Sequence, residues 1–66
     1  MKIILNGQIK ELNDVVHLHH IVEKFRKDTR PVIAEWNGQI IKSPQWPGIK
    51  IKDGDIIELV NFVGGG

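Results

Sequence analysis

Apolar residues along this 66-residue chain alternate in short runs towards both ends and recur at helical spacing in one stretch between them. Lys2 to Asn6 puts Ile3 and Leu5 on one face of a strand, and Asn6-Gly7 behind it is a strong hairpin signal. Gln8 to Leu12 returns as the partner strand. Val15, Leu18, Val22 and Phe25, with Ile21 beside them, then recur three and four residues apart, which predicts a helix capped by Asn13 or Asp14. Pro31 turns Arg30 away from helical angles, so the helix is over by Thr29-Arg30-Pro31.

Val32 to Trp36 alternates as a third strand, with Val32, Ala34 and Trp36 on one side and Ile33 and Glu35 on the other, and Asn37-Gly38 turns the chain again. Gln39 to Ile41 continues as a short extended piece. Two prolines around Gln45-Trp46 make Ser43 to Gly48 a loop or a single helical turn whose indole covers a core edge, with no ligand needed to explain it. Ile49 and Ile51 alternate with Lys50 and Lys52, Asp53-Gly54 turns, and Ile56 to Phe62 is the last strand. One helix is available to cover one face of one sheet, which predicts two-layer α+β packing. A crossover helix joins parallel neighbours, so the last strand is expected parallel to the first.

A single domain of this size buries only about 60% of the surface its unfolded chain exposes, leaving little room for an internal active-site cleft. The chain has no cysteine, which excludes a disulfide scaffold and a cysteine zinc site and fits a reducing cytoplasm. No apolar run approaches the roughly 20 residues of a membrane span, and the N-terminus lacks the pattern of a signal peptide, so a soluble protein is expected. A formal net charge of +1 gives no electrostatic case for nucleic acid. Lys24, Arg26, Lys27 and Arg30 cluster near the expected helix end, where cations complement the helix dipole.

His17, His19 and His20 invite a metal hypothesis, because His17 and His20 share a helical face. They lie with Lys24 and Lys27 on the polar side with no carboxylate to complete four zinc ligands, so an exposed cluster is expected, with His19 half-buried beside the apolar stripe. Asp53 and Asp55, separated by Gly54, suit a turn better than acid-base chemistry. No nucleophile with a base and an orienting group is apparent.

The chain stops at Val63-Gly64-Gly65-Gly66, directly after the last strand. Glycine, lacking a Cβ, lies extended in a channel too narrow for side chains. Residues 1–63 are therefore expected to form the domain and 64–66 a flexible tail, the backbone from Val63 onward reaching roughly 13 Å beyond the folded body at about 3.3 Å per residue. If that end is natural, the chemistry sits on the terminal carboxylate of Gly66.

Taken together, Asn6-Gly7, Glu35 and Asn37, Gln45-Trp46, Asp53-Gly54-Asp55, Ile57-Glu58 and Phe62-Val63-Gly64-Gly65-Gly66 resemble, in order and spacing, the ThiS family of sulfur carriers of thiamin biosynthesis. The histidine-rich helix departs most from that pattern. The resemblance implies a ubiquitin-like β-grasp: one mixed sheet of four to five strands with one helix packed across one face. It also implies that Gly66 is adenylated by an E1-like enzyme of the ThiF type using ATP, converted to a thiocarboxylate, and used by a thiazole synthase of the ThiG type. The chain would then be a co-substrate rather than an enzyme, with no cofactor or metal of its own. Lacking cysteine, it would take sulfur from a donor protein with a reactive Cys.

Glycines offer little contact area, so binding must come from the folded body. On a β-grasp, Ile57 and Leu59 would face the helix while Glu58, Val60 and Phe62 point the other way. A stripe of Ile4, Ile33, Val60 and Phe62 running to Val63 and the tail is the expected docking surface, unless some of these pack under the Pro44 to Pro47 loop. Other readings stay open: the small-subunit sulfur carrier of molybdopterin synthase, a plain ubiquitin-like interaction module, or attachment to target lysines.

Overall fold

The computed structural model describes residues 1–14 and 16–61. Its elements are β1 (Lys2–Leu5), β2 (Gln8–Glu11), α1 (Leu18–Phe25), β3 (Val32–Trp36), β4 (Gln39–Ile41), a 3₁₀ turn (Ser43–Gly48) and β5 (Ile56–Asn61). The strands form one five-stranded sheet in the order β2-β1-β5-β3-β4. β1 and β5 are parallel and the other pairs antiparallel, so the sheet is mixed and its last strand is central. This is the β-grasp arrangement.

Both hairpins turn on the expected residues. Asn6 and Gly7 have φ of 50° and 78°, and Asn37 and Gly38 have 48° and 85°. Positive φ at both central positions gives a turn whose twist matches that of the flanking strands.

Ile3, Leu5, Ala34 and Ile57 point from the sheet into the core, where they meet Leu18, Ile21 and Val22 of α1. Leu12, Ile41 and Ile51 close its edges. Burying a side chain of this kind contributes about 1.5–3 kcal/mol relative to leaving it exposed. The Ser43–Gly48 turn packs on the helix side, with Trp46 against the core and its indole N–H donating to the Ile41 carbonyl at 2.8 Å.

The helix is shorter than its apolar pattern suggests. Its N-cap is His17, not Asn13 or Asp14, and Val15 lies outside the described residues. Val16 to Leu18 first pairs with Ile49 to Ile51: the Ile51 amide donates to the Val16 carbonyl at 2.9 Å and the Leu18 amide to the Ile49 carbonyl at 2.8 Å. That extended pairing holds the chain out of helical angles until Leu18. His20 Nδ1 accepts the His17 amide at 3.1 Å, closing the first turn.

At the other end the helix stops at Phe25, with Arg26 already extended at ψ 145°. Only Lys24 of the basic cluster occupies the last turn, so the cluster serves the dipole less than expected. Arg26 instead clamps the following loop, donating to the carbonyls of Asp28 and Arg30 at 2.8 and 2.6 Å, while Arg30 pairs with Asp28 at 2.7 Å. His19 is half-buried, as its position beside the stripe predicts.

Asp55 is a turn residue, but it is also the buried charge of the core rim, 8% exposed. Its carboxylate accepts the Trp36 indole N–H at 3.0 Å, the Lys52 amide at 2.8 Å and the Asn37 side-chain amide at 3.1 Å. Burial pushes this carboxyl's pKa up, but the bonds from Trp36, Lys52 and Asn37 outweigh it, and the net pKa lies below the ordinary value of 3.8. A depressed carboxyl contributes stability that is present above the unfolded-state pKa and lost as pH falls through the folded one.

Asp55→Ala should therefore cost about 2–3 kcal/mol in urea unfolding at about pH 7, because three part-buried donors lose their acceptor. The wild type should lose part of that advantage on acidification below about pH 4, and the variant's remaining pH dependence should be correspondingly shallower.

Candidate functional site

The candidate site is the tail-proximal end of β5, where the central strand leads towards the C-terminal glycines. β1 pairs with β5 only through Ile4↔Ile56 and Leu5↔Ile57, because the chain then turns away at Asn6-Gly7. Asn6 continues the ladder by itself. Its amide donates to the Ile57 carbonyl at 3.0 Å, and its side-chain oxygen accepts the Leu59 amide at 2.9 Å. On the other flank, Asn37 donates its amide to the Ile56 carbonyl and accepts the Ile56 amide on its side-chain oxygen, both at 2.8 Å. The two turn asparagines thus clip the strand from either side.

The alternation expected along β5 is present: Ile57 is buried and Leu59 half-buried towards the helix, while Ile56, Glu58 and Val60 face out. Ile33 of β3 lies directly opposite Val60, and both are exposed. Ile4 also faces outward but not beside them, since its neighbours across the sheet are Ile9 and Ile56. Glu35 and Glu58, paired across β3 and β5, occupy the row in between.

The expected stripe is therefore two apolar patches divided by carboxylates. Phe62, Val63, Gly64, Gly65 and Gly66 lie outside the described residues. The Pro44 to Pro47 segment sits on the helix side and leaves the outward face uncovered. Sequence reasoning missed Ile9, Ile40 and Ile56, which are 72%, 69% and 50% exposed; alternation with buried partners was the signal that placed them outside.

On the helix side of the same strand end, a cleft of about 280 Å³ is lined by Asn6, Phe25, Arg26, Lys27, Val32, Leu59, Val60 and Asn61. Among the described residues, amides, cations and apolar groups line it, with no nucleophile, imidazole or carboxylate to act on a bound molecule. Among the described residues, no group of three or more His, Cys, Asp or Glu side chains is placed to hold a metal ion. Nor is any described helix long and apolar enough to cross a membrane. What the site offers is a strand end bonded on both flanks beside an open sheet face.

Residues 3–66 match the model of the ThiS family. The sulfur carrier protein ThiS of Bacillus subtilis is 33% identical over 63 residues, covering 94% of this chain and 96% of that one. A thiazole synthase of Paramagnetospirillum magneticum is 29% identical across the whole chain, which spans only about a fifth of that protein's length. The crystal structure of the thiamine biosynthesis protein ThiS from Geobacter metallireducens superposes with a TM-score of 0.82 at 24% identity, covering all of both chains, and so shares the fold.

If Asn6 extends the β1 side of the ladder, Asn6→Gly, which keeps the positive φ but removes the acceptor, should speed hydrogen exchange at the Leu59 amide and cost about 1 kcal/mol of stability. Asn6→Asp, which still presents an oxygen to that amide, should leave Leu59 protected.

Proposed function

The chain belongs to the ThiS family, and on that premise we propose that it carries sulfur as a thiocarboxylate on Gly66 for assembly of the thiamin thiazole. The likeness to the Bacillus subtilis sulfur carrier over nearly the full length of both chains supports this reading most directly. A free carboxylate is a poor electrophile, so a partner of the ThiF type first joins Gly66 to AMP from ATP, giving the carbonyl a leaving group. The outer sulfur of a persulfide on a reactive cysteine of a donor protein then attacks and AMP departs, leaving an acyl disulfide; a second thiolate attacks the donor cysteine's sulfur, forming a disulfide with it and releasing C(O)S⁻. The chain has no cysteine, so the sulfur comes from outside.

A thiazole synthase of the ThiG type consumes this sulfur, and the carrier returns as the free acid. The chain is a co-substrate of its partners, working in the reducing cytoplasm. Its glycine tail enters their active sites while Ile33 and Val60, with Phe62 and Val63 beyond them, dock beside the entrance. The central position of β5 suits this task, because pull on the tail is resisted by hydrogen bonds on both flanks of the strand.

Incubation with the cognate activating enzyme, ATP and a sulfur source should raise the intact mass by about 16 Da, one oxygen replaced by sulfur at the activated acyl carbon. Chain capped as the C-terminal amide should not change mass; thiazole formation supported by the amide would overturn the reading.

A further inference from the structure

Glu35 and Glu58 stand directly opposite one another on the outward face of two antiparallel strands. Cβ atoms in such pairs lie about 4.5–5.5 Å apart, and like charges there destabilise a sheet. Neither carboxylate pairs with a cation among the described residues, where the one ion pair joins Arg30 to Asp28. Aliphatic side chains flank the pair. Val60 and Ile33 occupy the row towards the tail, Ile56 and Ile4 the row away from it, and Ile40 lies beyond Glu35 on β4. An unneutralised acid pair within exposed aliphatic side chains breaks the ordinary rule of sheet pairing, and such breaks concentrate at functional positions.

We propose that this face is a docking surface for the thiazole synthase, which seats a cationic side chain between Glu35 and Glu58 while apolar groups cover the two patches. The proposal rests on the carrier reading above. Charge selects the class of occupant: a second copy of this chain set face to face would bring four carboxylates together, whereas a basic protein surface neutralises the pair. The Paramagnetospirillum magneticum thiazole synthase selects the partner, because there a region similar to this chain is part of the same polypeptide. Such tethering holds a docking surface at high effective concentration beside its target.

The test compares wild type, Glu58→Gln and Glu35→Gln/Glu58→Gln for binding to the thiazole synthase of the same organism at low and high NaCl, alongside thermal unfolding. The double variant should bind about tenfold more weakly at low salt, with the difference shrinking at high salt, while its unfolding midpoint stays the same or rises as the repulsion is relieved. Equal affinities at low salt would sink the proposal, as would a loss that ignores salt. The single variant, which alters one exposed residue, guards against misfolding. Thiocarboxylate formation at saturating activating enzyme separates the two readings: wild type that never gains the 16 Da or so indicts the carrier chemistry, whereas wild type that gains it and binds no better than the double variant indicts only the docking surface.

Discussion

β5 depends on polar side chains that reach it from three turns. Asp55, just before the strand, gathers Trp36, Asn37 and Lys52; Asn37 bonds both the carbonyl and the amide of Ile56; Asn6 bonds Ile57 and Leu59. The strand lies between two hairpins, and the groups that fix its register belong to their turns. A slip of one residue would send Ile57 out of the core and leave the Asp55 carboxylate buried without its donors.

Given that register, the two faces of the strand divide the work. Inward residues join the aliphatic core under α1, and outward residues present a surface that the helix does not cover. The helix is short because the segment before it is first used as an extended partner for Ile49 to Ile51. Its basic C-terminal neighbours shape the loop to β3, mainly through Arg26.

Much of this was legible along the chain because the signals are local. Asn-Gly pairs favour the left-handed angles of a tight hairpin, and alternation puts Ile3 and Leu5 on one face without knowledge of the neighbour. The inward side of β5, apolar at Ile56, Ile57, Leu59 and Val60, came instead from the resemblance to the β-grasp. The parallel pairing of first and last strands followed from the crossover helix. The helix start was not legible: Asn13 and Asp14 are good caps by type, and only the distant Ile49 to Ile51 segment displaces the start to His17. Asp55 read as a turn residue because burial and donors arrive from elsewhere in the chain.

The sequence by itself determined the order of elements, the two faces of β1 and β3, and the family, since each of these rests on spacing over a few residues or on motifs in fixed order. Only the tertiary structure decided which outward residues stand together. Ile4 and Val60 both face out, yet cross-strand register puts Ile4 with Ile9 and Ile56, Val60 with Ile33, and a pair of carboxylates between them. Periodicity fixes the side of a sheet on which a residue lies, but neighbours across it are set by hydrogen bonds between segments far apart in the chain.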